Sequence, residues 1–188
     1  DQQRVIEKPT DDTMGQDVPV IYEDTILKIW EIRNQKDSIS LGRGYTFCIS
    51  NANPAQNAYN GYRYRYGSTF FFIRYKNRSN KIEDNSYTDN YHLIVFEIRH
   101  IEGQTVNYAW TPSNNGTQEI ELDKFLNMFP EIKIPWKKGV FKSRLLSKEE
   151  LDRYNRVTRA KGLDTFKVFG HGWANRISQL QSSAMQIV

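Results

Sequence analysis

The sequence predicts an α+β fold: an antiparallel, aromatic-rich sheet with C-terminal helices. Three observations carry this. Short β-type runs fill the first two thirds of the chain, and helical patterning with capping signals follows them. Aromatic residues make up 13% of the chain, with eleven Tyr and ten Phe, and flat rings pack well on a half-buried pleated surface. No internal repeat of a solenoid or propeller type is visible.

The elements follow in order. Residues 1–17 are polar and aperiodic, carry Pro9 and Gly15, and read as a flexible N-terminal arm; residues 18–188 read as a single α+β domain. Val18–Glu23 and Thr25–Ile32 are β-rich runs separated near Asp24. Gln35–Leu41 is a short helix stopped by Gly42 and Gly44. Tyr45–Ser50 is expected as a strand, and Pro54 is placed to open a short helix through Tyr59. Ser68–Lys76 alternates as a strand, Asn77–Asn90 is a polar loop, and Tyr91–His100 is apolar enough for a central strand buried on both faces. Gln104–Thr111 is its hairpin partner across Glu102-Gly103, and Asn114–Thr117 forms another tight turn.

Glu119–Phe129 then looks helical, with Ile120, Phe125 and Met128 inward and Pro130 as its stop. Gly139–Ser143 is expected as a late edge strand. Ser147-Lys148-Glu149-Glu150 is a capping box that starts a helix to about Ala160, ended by Gly162. A second C-terminal helix begins near Trp173.

Composition excludes several function classes. No apolar run approaches the ~18–20 residues needed to cross a bilayer, so no membrane role is expected. The only cysteine, Cys48, rules out an internal disulfide and any multi-cysteine zinc site. His92, His100 and His171 are too scattered to read as a metal motif, and no cofactor is implied. The opening Asp1-Gln2-Gln3-Arg4 has no basic-then-apolar leader, and a reducing, cytoplasmic compartment is expected.

Charge is uneven. Residues 1–42 hold nine acids against five bases, whereas Arg43–Ile82 holds seven bases and no acid. Ile132–Lys148 holds six bases and again no acid. Clustered cations attract polyanions where scattered ones do not.

The sharpest motif is Tyr62-Arg63-Tyr64-Arg65-Tyr66. In an extended chain its period of two puts three tyrosines on one face and two arginines on the other. Tyrosines stack on bases and arginines hold phosphates, which is how single-strand binders work. Arg43, Arg74 and Lys76 would join that surface. The same alternation also fits an edge segment whose tyrosines pack on the sheet while its arginines stay in water.

Two residues are candidates for catalysis. Cys48 serves as a nucleophile if a histidine and positive charge lower its pKa, and otherwise as a small core residue between Phe47 and Ile49. His171, in Gly170-His171-Gly172, is either a site histidine on a mobile turn or punctuation before a helix.

One stretch resembles a known family. Gly42-Arg43-Gly44-Tyr45-Thr46-Phe47-Cys48-Ile49-Ser50, then Tyr62–Gly67, then Ser68-Thr69-Phe70-Phe71-Phe72, resembles an uncharacterised domain of bacteriophage and mobile-element proteins. Its Gly-x-Gly-x-Thr-aromatic-Cys-Ile-Ser core follows a β run like Ile21-Tyr22-Glu23-Asp24, and Phe47 stands where the family has Trp. The resemblance spans residues 20–100 and implies a genomic context: an accessory protein acting in the host cytoplasm or virion. The expected partners are single-stranded nucleic acid or other proteins of a phage assembly. The alternatives are a nuclease or group-transfer enzyme using His171 or Cys48 with Arg63 and Arg65, and a virion structural or packaged protein.

Overall fold

A computed structural model describes residues 15–76, 92–112 and 118–160. The expectations for His171, the helix near Trp173, the Asn77–Asn90 loop, the Asn114–Thr117 turn and most of the arm lie outside the described residues.

Six strands pair antiparallel in chain order: β1 (Val20–Glu23), β2 (Leu27–Ile32), β3 (Thr69–Tyr75), β4 (Leu93–Ile101), β5 (Gln104–Trp110) and β6 (Gln118–Glu119). Between β2 and β3 come α1 (Gln35–Leu41), a 3₁₀ turn at Cys48–Ser50 and α2 (Tyr59–Tyr66). After β6 come α3 (Leu122–Met128), a 3₁₀ turn at Pro130–Ile132, α4 (Lys133–Lys137) and α5 (Lys148–Ala160). The α+β class with C-terminal helices is therefore the observed one.

Both sheet faces are covered, which is why β3 and the first seven residues of β4 are buried without alternation. The register places Trp30, Phe72 and Val95 in one row and Ile29, Ile73 and Ile94 in the next, on opposite faces. The first face packs Trp30, Ile32, Phe70, Phe72, Leu93, Val95 and Trp110 under Leu41, Phe47, Ile49 and Tyr59. The second packs Ile29, Phe71, Ile73, Ile94, Phe96 and Ile98 under Phe125, Phe129 and Ile132. Each such side chain contributes about 1.5–3 kcal/mol when fully buried. The β4–β5 hairpin turns through Glu102 (φ 51) and Gly103 (φ 79), the left-handed pair that a two-residue hairpin needs.

Four local expectations are corrected. Tyr45–Ser50 is not a strand. Phe47 and Ile49 do point inward, but Ser50 N–H bonds the Phe47 carbonyl at 2.9 Å and curls the chain into a 3₁₀ turn. Its carbonyls go to helix-borne and loop donors: Ser38 Oγ and Asn57 Nδ2 both reach Ile49 O, and Ala58 N–H reaches Cys48 O.

Tyr62–Tyr66 is helical and not extended, so its residues do not sort by a period of two. Asn57 Oδ1 accepts the Tyr59 amide at 2.9 Å near the start, and Gly67 in the left-handed region (φ 58) closes the end. The helix opens at Tyr59, where the sequence suggested one would close.

Met128 is 45% exposed, because α3 ends there and the inward stripe runs from Phe125 to Phe129, ring to ring at 5.3 Å. Gly139–Ser143 makes no strand. Its amides bond locally, Gly139 N–H to Trp136 O and Val140 N–H to Pro135 O, while Phe141 folds against Trp136.

The capping box is present as expected: Glu150 N–H reaches Ser147 Oγ and Ser147 N–H reaches Glu150 Oε1, both at 3.1 Å. Of the expected arm only residues 15–17 are described: Gly15 is buried and its carbonyl accepts the Val18 amide, while Gln16 and Asp17 are exposed.

Candidate functional site

The chemistry-bearing residues gather at two arginines. The first is Arg63, on α2. It is fully buried, and each of its five N–H groups has an acceptor. Nε reaches Glu150 Oε2 at 2.9 Å, and Nη2 reaches Glu150 Oε1 at 3.1 Å and Leu145 O at 2.9 Å. Nη1 reaches Arg144 O at 2.6 Å and Ser68 O at 3.0 Å. Arg144 extends the network to Glu31 and Glu150 at 3.1 and 3.0 Å. Burial alone would raise Glu150, but the bonds from Arg63, their opposite charge and the Ser147 amide hold its carboxyl below the usual range. This network ties α2 to the start of α5. It leaves Arg63 no donor for a phosphate, so Arg63 is a structural clamp.

The second is Arg99, on β4. Strand spacing puts Glu97 and Arg99 on the same face. Glu97 is completely buried and accepts from Arg99 Nε at 2.7 Å, Ser68 Oγ at 2.6 Å and Trp110 Nε1 at 3.1 Å. Burial pushes the Glu97 carboxyl up, and these three partners only partly offset it. Burial pulls Arg99 down, but Glu97 beside it more than restores the guanidinium.

Three tyrosine rings surround the Arg99 guanidinium. Their centroids lie 3.8 Å away for Tyr108 on β5, 4.7 Å for Tyr62 and 4.9 Å for Tyr66. Tyr62 and Tyr66, one helical turn apart on α2, stack on each other at 6.2 Å, and Arg65 lies 4.8 Å over Tyr66. The three rings are half-buried. Arg99 itself is 7% exposed, and its Nη2 has no hydrogen-bond acceptor. A planar cation walled by aromatic faces, with a donor to spare, can hold an anionic oxygen while the rings stack on planar groups.

Cys48 adjoins this centre. It is exposed, so the expectation of a buried core residue is corrected: the 3₁₀ turn sends Phe47 and Ile49 inward and Cys48 out. Its thiol is nonetheless pushed up by local desolvation, against which a hydrogen bond from Tyr62 favours the thiolate. His92 is buried at the start of β4, with Glu97 and Arg99 toward the other end of that strand.

The other expected binding residues disperse. Tyr64 is buried toward Arg63 and Glu150. Arg74 is buried, and desolvation pulls its pKa down. Lys76 donates to Asp24 O at 2.6 Å and pairs with Glu23 at 2.8 Å. Arg43 is exposed. Of the Tyr62–Tyr66 motif, Tyr62, Arg65 and Tyr66 reach the Arg99 centre.

Reading the sequence missed Glu97, Arg99, Ser68, Trp110 and Tyr108. One signal was available: two opposite charges two residues apart within a strand expected to be buried on both faces. Among the described residues no group of three or more His, Cys, Asp or Glu could hold a metal ion, and no helix is long and apolar enough to cross a membrane.

Comparison with protein-family models, curated proteins and solved structures finds no match to this chain.

Proposed function

We propose that this chain binds single-stranded nucleic acid as an accessory protein of a bacteriophage or mobile element. Tyr62, Tyr66 and Tyr108 are its stacking surfaces, and Arg65 and Arg99 its cations. One observation carries the reading: Arg99 lies within 5 Å of three half-buried tyrosine rings and its Nη2 has no acceptor. Base stacking on aromatic side chains is sequence-tolerant because every base has a π-face, and a guanidinium adds phosphate and cation–π contacts. This reading keeps Tyr62, Arg65 and Tyr66 of the sequence motif and adds Arg99 on β4 and Tyr108 on β5. The phage context rests on the Gly42–Ser50 resemblance.

The test is titration of a short labelled oligo(dT) at ~50 mM salt, where phosphate contacts are strongest. Tyr108→Ala should weaken binding by ~1–3 kcal/mol and leave the salt dependence unchanged. Arg65→Ala should flatten the log–log salt slope by about 0.7, one phosphate contact on a single strand. Absence of binding by the unmodified protein overturns the reading.

A further inference from the structure

A second cationic surface lies on the other side of the sheet. Of the bases in the acid-free stretch Ile132–Lys148, Arg144 is spent on Glu31 and Glu150. Lys133, Lys137, Lys138 and Lys142 are exposed, and among the described residues none of the four has a carboxylate partner. Four other cations are paired, Arg33 with Glu31, Arg63 with Glu150, Lys76 with Glu23 and Arg99 with Glu97; what sets the turn apart is four exposed lysines within ten residues that hold no acid.

The base beneath these lysines is firm. Pro135 is buried, and Trp136 stacks on Phe141 at 5.2 Å and meets Phe96 edge-on at 5.6 Å. Gly139 N–H to Trp136 O at 3.0 Å and Val140 N–H to Pro135 O at 3.2 Å close the chain back on itself. Lys138 Nζ lies 5.8 Å from the Tyr22 ring centroid. The nearest carboxylate in sequence, Glu131, is occupied by the Tyr75 hydroxyl at 3.1 Å. Lysines carried on a fixed backbone lose less freedom on meeting a ligand than lysines on a mobile loop.

We propose that this turn, residues 133–142, binds the phosphate backbone of a nucleic acid. Trp136 and Phe141, its two rings, are half-buried, packed on the core and stacked on each other, whereas the four lysines are exposed, so the surface presents chiefly point charges for phosphates. It therefore contributes affinity without regard to base, and it does not depend on the tyrosine platform, which sits on the opposite face.

The probe is labelled inorganic polyphosphate, which has the charge and no bases, titrated into the whole chain at ~50 mM salt. Saturable binding is expected. The combined K133Q, K137Q, K138Q and K142Q variant, verified as folded by its urea midpoint, should bind at least tenfold more weakly and with a flatter salt slope, whereas Tyr108→Ala should bind as the unmodified protein does. Short oligo(dT) reports the platform: its binding should fall in Tyr108→Ala and survive in the lysine variant, so failure of either surface is seen separately. Three results overturn the proposal: no polyphosphate binding, equal binding by the lysine variant, or equally tight lysine-dependent binding of poly-glutamate, which would make the partner an acidic protein.

Discussion

Arg63 and Arg99 are both buried and both face a glutamate, yet every N–H of Arg63 has an acceptor whereas Nη2 of Arg99 has none. Around Arg63 the acceptors are backbone carbonyls and Glu150; around Arg99 they give way to the faces of three tyrosines. The two glutamates differ in the same sense. Glu150 is held low by two arginines and an amide, and Glu97 is driven up by burial that its partners do not fully offset. A saturated guanidinium is a fastening, because a ligand gains nothing by approaching it. An unsaturated one in an aromatic wall is a place where a ligand completes the bonding. The contrast marks the first arginine as a fastening and supports the proposal that the second serves recognition.

The largest expected effect comes from breaking the fastening. Arg63→Met removes every donor that Glu150 receives from α2 and takes a donor from four carbonyls, those of Gly67, Ser68, Arg144 and Leu145. Loss of one member of a buried pair costs about 3–5 kcal/mol. The urea midpoint should fall accordingly, while oligonucleotide affinity per folded molecule stays unchanged. A loss of affinity equal to that of the Arg99 platform variants, with stability intact, would reverse the two assignments.

A second, smaller effect separates the glutamates by pH. Glu150 has a folded pKa below its unfolded value, so its stabilisation is present above the unfolded value, ~4.3, and is lost as pH falls through the folded one. Glu97 has a folded pKa above its unfolded value. Its protonated form is favoured in the folded chain, so its contribution is fully present below ~4.3 and lost as pH rises through the folded pKa. Unfolding midpoints followed from pH 7 downward should therefore change in opposite directions in two variants. Glu150→Gln should flatten the loss of stability on acidification, and Glu97→Gln should steepen it. Slopes that move the same way would mean the two carboxylates share one environment.

Much of the sheet was legible in the sequence, and the reasons are local. Leu93-Ile94-Val95-Phe96 has no polar residue to spare for solvent, so it reads as a central strand and is one. Gln35–Leu41 and the Ser147–Glu150 box carry their own start or stop signals. Misreadings came where two periods coincide. Tyrosine at every second position looks extended, yet Tyr62 and Tyr66 are also one helical turn apart, and Asn57 and Gly67 decide for the helix. Tyr45–Ser50 keeps the inward–outward alternation of a strand while its hydrogen bonds are taken by Ser38, Asn57 and Ala58. The candidate site was mostly illegible because it is assembled across the sheet. Nothing near Arg99 in sequence announces Ser68, Trp110 or Tyr62, and only the register of β3, β4 and β5 brings them to Glu97.

The smallest expected effect concerns the rim of the recognition centre, where Cys48 is exposed but holds its proton tightly. A thiolate is the reactive form, so exposure alone does not make this residue reactive. Labelling with a thiol reagent at neutral pH should run slower in the folded chain than in urea, and its pH–rate profile should be displaced upward from that of the unfolded thiol. Tyr62→Phe removes the hydroxyl that favours the thiolate, so the displacement should grow, whereas simple shielding by the ring would leave it unchanged. The same substitution keeps the aromatic face against Arg99, and oligonucleotide affinity should hold if Tyr62 acts by stacking. Folded Cys48 labelling faster than the unfolded chain would instead mean that Arg99 dominates the thiol. The platform would then have to be read as activating a nucleophile.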